Sequence, residues 1–252
     1  MLDGSLDVGY FPFPQVLAAI QHGAAITSIL SAGGSTRVLV TAPEVKQCSD
    51  LNNKGVSVPT LVSTQALTLQ LYIDKRCPGT NVERVVIAGT NNRVAALLAG
   101  RTAGALLELT SLLELRARDF TQFNELSVFG VEFPGLISAA AVASRAFLDS
   151  HPDTARDIAR AWVLATRQVQ DPTVLKDRIE KYLGLESGQA GIAANAYLDR
   201  KIWDVNGGLS DENLRTSIDF SATAGVITDG LSPAMTADLS FLHAVLDVIG
   251  RQ

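Results

Sequence analysis

Residues 54–109 read KGVSVPTLVSTQALTLQLYIDKRCPGTNVERVVIAGTNNRVAALLAGRTAGALLEL. Short runs rich in β-branched residues alternate here with helical segments. The predicted elements are strands at 55–59, 83–88 and 104–109 and helices at 63–76 and 91–100. Alternation of strand and helix across short loops is typical of a parallel sheet in an α/β protein. The stretch therefore predicts an α/β fold.

The flanking sequence extends this pattern and then changes character. Upstream we expect strands at 6–10, 25–30 and 37–41 and a helix at 14–23. The second half favours helices, at 150–170, 171–184 and 235–250, with Asp171 as the cap of the second and Pro172 at its first position. The one organisational break is a shift from mixed to helix-rich composition around 120–150.

Composition and charge exclude several partners. The 252 residues carry a net charge of −5 and are 47% hydrophobic, which predicts a sizeable core and disfavours nucleic acid as a partner. The apolar run at 136–143 is far shorter than the ~20 residues that span a bilayer, so no direct membrane insertion is expected. The acidic N-terminus is not a signal peptide as it stands, which indicates either a cytosolic chain or an export signal upstream.

The motifs of common enzymes are missing from the sequence. It contains no GxSxG, Walker A, HExxH, CxxC or GxGxxG pattern, and we predict no catalytic residue, metal site or cofactor. Its three histidines, at 22, 151 and 243, all have structural explanations. Cys48 and Cys77 should lie at the same end of the strand–helix layer, where a disulfide can form; two reduced, unrelated cysteines are the alternative.

Polar and aromatic side chains follow several of the predicted strands. In open α/β sheets, ligands bind beyond the carboxyl ends of the strands. Ser63 or Thr64 would cap a helix and leave its first backbone N–H groups near a ligand. Glu108 is a carboxylate, a group that is rarely buried without a partner. The candidate ligand-binding residues are Tyr10, Phe11, Phe13, Thr41, Thr60, Ser63, Thr64, Glu108, Thr110 and Glu132.

Three segments of the chain resemble the solute-binding proteins that serve ABC importers for nitrate, taurine, alkanesulfonates and pyrimidine precursors of thiamine. Within 54–109, the segment Arg93–Gly100 is similar to the family's RxxALxxG helix, although Ala103, Gly104 and Ala105 replace its usual Asp-Ala pair. Residues 144–172 and 216–233 resemble later segments of the family in the same order.

The resemblance implies a two-lobed α/β fold of the periplasmic-binding-protein (type II) kind, N-terminally incomplete. The first lobe would combine 1–41 with 127–252, and 45–122 would form the second. A strand, a helix and a further strand, with an export signal, would precede LDVGYFPFPQVLAAIQHG at 6–23. The chain would then be periplasmic or at the cell surface, and its partners would be a small-molecule solute and an ABC permease.

The ligand implied by this family is a small organic solute held between the lobes. The start of the 63–76 helix favours a polar or anionic head group, and the aromatic residues at 10–13 favour a flat or apolar body. Glu108 and Glu132 are expected to repel a bare anion. A sulfonate, a carboxylate and an aromatic or pyrimidine ligand all stay open. So do two alternative functions: an enzyme on the same scaffold, of the pyrimidine-precursor synthase or sulfinate hydrolase type, and a cytosolic ligand-sensing module.

Overall fold

A computed structural model describes residues 5–61, 63–118 and 122–252. The chain folds into two compact units, each built from discontinuous segments. Unit 1 consists of Met1–Gly34, Phe133–Leu175 and Lys201–Gln252, and unit 2 of Ser35–Glu132 and Lys176–Arg200.

Unit 1 is a small sheet with helices on both faces. Its strands are β1 (Val8–Pro12), β2 (Ile26–Leu30) and β8 (Ala139–Ser144), and its helices are α1 (Phe13–Gln21), α6 (Arg145–Ser150), α7 (Pro152–Gln168), the start of α8 (Pro172–Leu183), α10 (Asp211–Thr223), α11 (Pro233–Thr236) and α12 (Ser240–Ile249). The strand order is β1-β8-β2, and both pairings are antiparallel.

Small side chains on β8 let helices pack closely on either side of this sheet. Ala140 and Val142 join Phe13 and Leu17 in one cluster, while the alternate residues Ala141 and Ala143 join a second cluster with α7. The alternation follows from the two-residue period of a strand. As predicted, Asp171 caps α8, because its Oδ1 accepts the backbone N–H groups of Thr173 and Val174.

Unit 2 contains residues 54–109, for which the sequence predicted alternating strands and helices. Its elements are β3 (Arg37–Thr41), a 3₁₀ turn (Cys48–Leu51), β4 (Lys54–Val58), α2 (Thr64–Arg76), β5 (Val82–Val86), α3 (Thr90–Leu98), β6 (Gly104–Glu108), α4 (Leu109–Ala117), β7 (Asn124–Val128), α5 (Phe129–Glu132), the rest of α8, and α9 (Ser187–Asp199). The strand order is β5-β4-β6-β3-β7.

This five-stranded sheet is mixed. β4 pairs in parallel with both β5 and β6, as the sequence predicted for 54–109. β3 pairs antiparallel with β6 and β7. Residues 37–41 were predicted to belong to the first lobe, whereas their hydrogen bonds make them the fourth strand of unit 2.

Cys48 and Cys77 form a disulfide, with their Cα atoms 5.7 Å apart. The prediction that both cysteines lie at the same end of the layer is confirmed, and the structure decides between the two alternatives in favour of the bridge. The bond ties the turn after β3 to the C-terminal end of α2.

Two strands were missed by the sequence analysis. β8 reads AAAVAS, and its first residues belong to the apolar run at 136–143. Alanine has little intrinsic preference for strands, so β8 forms because it lies between two others, where only small side chains leave room for α1 and α7. β7 reads NELSV and lacks a clear alternation of apolar and polar residues.

Candidate functional site

Three helices of unit 2 begin at one edge of its sheet. β4, β5 and β6 run in parallel, and each is followed by a helix, α2, α3 or α4, so the helix N-termini collect beyond the carboxyl ends of the strands. Unpaired N–H groups at a helix start carry partial positive charge and attract anions. Gly89 and Glu108, the N-cap residues of α3 and α4, make no side-chain capping hydrogen bond.

Ser63 is the N-cap of α2, as one of the two predicted alternatives had it. Its Oγ accepts the N–H of Ala66 at 3.2 Å and donates to the carbonyl of Thr60 at 2.9 Å. Thr64 occupies the first position of the helix, and its Oγ1 is shielded from water without a hydrogen-bond partner among the described residues. These three predicted residues therefore lie together at the start of α2.

Glu108 lies at the same edge of the sheet and is paired. Arg37 stands directly opposite it on β3, and the two side chains form a salt bridge. The Glu108 Oε2 also accepts a hydrogen bond from Thr36 Oγ1 at 3.0 Å. The amide oxygen of Gln65, assigned from the hydrogen-bond network, accepts from the Nε and Nη2 of Arg37 at 3.1 and 3.0 Å. Arg37 thus links the start of α4 to the start of α2.

Arg93 places a second guanidinium beneath this edge. The side chain is 3% exposed and donates to the carbonyls of Leu106 and Ile87 and to Thr90 Oγ1, at 2.9, 3.1 and 3.0 Å. Burial lowers the pKa of Arg93, and the charge of Arg37 lowers it further. Arg93 makes no salt bridge among the described residues, so its charge adds to the positive potential of the helix starts.

Tyr197 on α9 lies next to Thr110, Glu108 and Arg37. Its phenol is hydrogen-bonded to the side chain and the backbone of Thr110, the second residue of α4. Burial, followed by the nearby charge of Glu108, raises the pKa of Tyr197 to about 12. Thr110 is therefore near Glu108, as predicted, but its hydroxyl serves a contact between helices.

Glu132 is also neutralised, by a different arginine. Arg76 Nε lies 2.5 Å from its Oε1, and this pair borders a groove of about 560 Å³ along β7. Each of the two carboxylates that were expected to repel a bare anion is therefore paired with an arginine.

Two predicted site residues are structural. Thr41 is fully buried and donates its hydroxyl to the carbonyl of Val45. Phe13 is fully buried in the core of unit 1, as the first residue of α1. Thr41 ends β3 and Phe13 begins α1, positions that suggested a site, but both side chains are buried in the protein interior.

Tyr10 and Phe11 are exposed on unit 1, 48% and 37% respectively. The Tyr10 ring packs on Trp162 of α7 with a centroid distance of 5.3 Å, and the indole Nε1 donates to the carbonyl of Ser31. Burial of part of the ring raises the pKa of Tyr10, while hydrogen bonds to Ala32 and Ser31 act in the opposite direction. These residues form an aromatic surface on unit 1.

Sequence reasoning missed several members of these groups, among them Arg37, Gln65, Trp162 and Tyr197. Arg37 was part of a predicted strand, and only the register of β3 against β6 brings it opposite Glu108. Gln65 had a signal, since it follows the capping Ser63 by two residues. Trp162 and Tyr197 had none, because each reaches its partners from a helix distant in sequence.

The described residues contain no group of three or more His, Cys, Asp and Glu side chains arranged to hold a metal ion. Within the same residues, no helix combines the length and the apolar character that crossing a bilayer needs. His22 closes α1, where its Nδ1 lies 2.7 Å from the carbonyl of Ala18, and His151 stacks on Phe147.

Solved structures with a similar fold include solute-binding proteins of import systems. The periplasmic sulfonate-binding protein SsuA of a putative sulfonate ABC transporter from Methylobacillus flagellatus matches with a TM-score of 0.76 at 15% identity, covering 98% of this chain and 76% of that one. The ligand-binding component of an ABC-type import system from Staphylococcus aureus, solved with zinc bound, matches with a TM-score of 0.73 at 14% identity, covering 97% and 82%. The chain has the periplasmic-binding-protein fold.

An enzyme shares the same fold. The desulfurization enzyme DszB matches with a TM-score of 0.64 at 14% identity, covering 96% of this chain and 85% of that one. No protein-family model matches the sequence, and no curated protein matches it significantly. At identities this low, the similarity establishes the fold only. It identifies neither a ligand nor a reaction for this chain.

Proposed function

We propose that this protein is the solute-binding component of an ABC importer and that the polar edge of unit 2 holds the head group of its ligand. The observation that carries the proposal is the convergence of three helix starts with Ser63, Arg37 and Glu108 at the carboxyl edge of a parallel sheet. Ligands of open α/β sheets bind at such edges, and binding needs no reactive side chain.

The charges at this edge favour an anionic head group. Arg37 and Arg93 carry two positive charges against the single carboxylate of Glu108, and the helix starts add to the positive potential. A sulfonate or a carboxylate fits this potential better than a cation does.

A solved structure of the same fold supports an organic rather than an inorganic ligand. The neighbour from Methylobacillus flagellatus is named a sulfonate-binding protein, and sulfonates are organic anions. We therefore propose an organic sulfonate or carboxylate as the ligand.

The disulfide supports an exported protein. Bridges persist in the periplasm and at cell surfaces and are rare in reducing cytosol. The same bond argues against an enzyme with a cysteine nucleophile, since Cys48 and Cys77 are both engaged in it.

A thermal-shift screen of alkanesulfonates, aromatic carboxylates and pyrimidines tests the proposal, because a ligand that binds the folded state raises the melting temperature. We expect a sulfonate or carboxylate to give the largest shift and to be recovered chemically unchanged. A ligand recovered as a product would make the protein an enzyme, and a panel without any shift would contradict the proposal.

Variants then locate the head group by calorimetry. Arg37→Met should weaken binding of the anion about 10- to 100-fold, the range expected for a lost charge-assisted hydrogen bond. Arg101→Met is the matched control, since Arg101 is exposed and makes no side-chain contact in the site. Ser63→Ala should weaken binding less, about 2- to 10-fold.

Glu108→Gln decides the sign of the ligand's charge. It retains a hydrogen-bond acceptor for Arg37 but removes the carboxylate that competes with an anion, so affinity for an anionic ligand should rise. A fall in affinity would instead indicate a ligand that donates to Glu108, such as an amine.

A further inference from the structure

One face of α3 and one face of α4 line a groove of about 320 Å³ in unit 2. On each helix the lining positions follow the spacing i, i+3, i+4 and i+7, which brings side chains onto a single helix face. The lining residues are Asn91, Val94, Ala95 and Leu98 on α3 and Ser111, Glu114, Leu115 and Arg118 on α4. The groove is therefore a regular product of two helix faces.

The middle of this groove is apolar. Val94, Leu98 and Leu115 supply its branched side chains, and Ala95 adds a small one. Leu98 is 40% exposed, so a large apolar side chain of the wall is in contact with water. An apolar ligand lying in the groove would remove this area from water, which is favourable.

One end of the groove adjoins the polar edge of unit 2. Asn91 and Ser111 lie in the first turns of α3 and α4, close behind the N-cap residues Gly89 and Glu108. Both helices begin at the carboxyl ends of parallel strands, so both run away from that edge. The groove thus leads away from the site that we propose for the anionic head group.

We propose that this groove holds the apolar chain of the solute, which makes the ligand an amphiphilic organic anion with an unbranched body. The inference rests on the proposed function, which puts the head group at the edge. A helix rises about 1.5 Å per residue, so the groove extends about 10 Å from the level of Asn91 to that of Leu98. With C–C bonds of about 1.5 Å and angles of about 111°, a chain of about eight carbons covers this length.

Width and charge favour such a chain over other occupants. An α-helix with its side chains is about 10 Å wide, so a helix of a partner protein would sit over the groove without filling it. The volume lies at the lower end of the range for small-molecule sites, about 300–1,000 Å³. Glu114 and Arg118 contribute opposite charges, so the groove adds no net charge that would repel an anion.

Calorimetry with two homologous series tests the proposal. The series are the alkanesulfonates from ethanesulfonate to dodecanesulfonate and the corresponding carboxylates, at concentrations at which every compound is monomeric. In the series that binds, each methylene should tighten binding about two- to fourfold up to about eight carbons. Further carbons should add little, because they extend beyond the groove.

Ala95→Phe separates the groove from the head-group site. Ala95 is exposed on α3, so the added ring can be accommodated outside the core, where it should fill the groove. Octanesulfonate or octanoate should then bind about tenfold more weakly or worse, whereas the two-carbon ligand should bind as it does to the natural chain. Ala99→Phe is the matched control, since Ala99 is also exposed and lies outside the groove.

Leu98→Gln tests the same wall without added bulk. Glutamine keeps a high helix propensity but replaces an apolar side chain by a polar one, so the gain per methylene should become smaller. Leu164→Gln is the control, because Leu164 is 39% exposed on α7 of unit 1 and should leave the gain unchanged.

The outcomes separate this inference from the proposed function. Short ligands that bind without any gain from longer chains would overturn the inference and leave the proposed function intact. A gain that is equal in Ala95→Phe, Ala99→Phe and the natural chain would also overturn it, since the chain would then lie elsewhere. If no member of either series binds, the proposed function itself fails, and this inference fails with it.

Discussion

The two sheets share one motif and differ in what is added to it. β1-β8-β2 in unit 1 and β6-β3-β7 in unit 2 are both antiparallel trios, and in each the first strand leads into a helix. Unit 2 adds the parallel strands β4 and β5, with α2 and α3. The addition brings further helix starts to one edge of the sheet, where the polar residues Ser63, Glu108 and Arg37 meet.

The units also differ in how they are held together. The core of unit 1 is apolar on both faces of its sheet, with Phe13 at the junction of β1 and α1. Unit 2 adds a disulfide, a buried guanidinium and a buried phenol to its apolar core. The comparison predicts that packing dominates the stability of unit 1, whereas cross-links and polar contacts contribute measurably to that of unit 2.

The largest effect should come from Phe13→Ala in unit 1. The side chain is fully buried, so its removal leaves a cavity and should lower the free energy of unfolding by about 3–5 kcal/mol. Phe11→Ala is the matched control two residues away. Because Phe11 is 37% exposed, we expect a loss of less than about 1.5 kcal/mol in urea denaturation. Equal losses would contradict the difference in burial between the two phenylalanines.

Removal of the disulfide should have the next largest effect, in unit 2. The bridge joins residues 29 positions apart, and a loop of that length corresponds to about 3–4 kcal/mol of unfolded-state entropy. The double variant Cys48→Ala/Cys77→Ala should lose about this much in urea denaturation. Dithiothreitol should destabilise the natural chain by a similar amount and leave the variant unchanged. An unchanged natural chain would show that the bridge contributes little.

The smallest effect is a dependence on alkaline pH. The pKa of Tyr197 is about 12 in the folded protein and about 10 when unfolded, so the unfolded chain loses its proton first as the pH rises. The contribution of Tyr197 is complete below pH ~10 and is lost between pH ~10 and ~12, a fall of about 2–3 kcal/mol.

Tyr197→Phe should flatten this part of the stability profile, measured by denaturation at stepped pH. Tyr182→Phe is the control, since Tyr182 is 68% exposed on α8 and should leave the fall in place. If the two variants behave alike, burial of Tyr197 does not control its ionisation.

Several features of the site could be predicted from the residues alone. Ser63 precedes a helical segment and caps it, and the two cysteines flank one strand–helix unit and meet at its end. Both predictions concern residues that are close along the chain or joined by a single regular unit. The geometry of one helix and one strand is enough to place them.

The sequence by itself determined the alternation of strands and helices in 54–109, the caps of α2 and α8, and the meeting of the two cysteines, because local hydrogen bonding and hydrophobic periodicity act over short stretches. The tertiary structure decided which neighbours those elements receive. It made an alanine-rich segment the central strand β8, buried Phe13 while exposing Phe11, and set the register that pairs Arg37 with Glu108. That pairing places a guanidinium beside the carboxylate of the candidate site. It depends on two strands about 70 residues apart in sequence, and no local preference encodes their register.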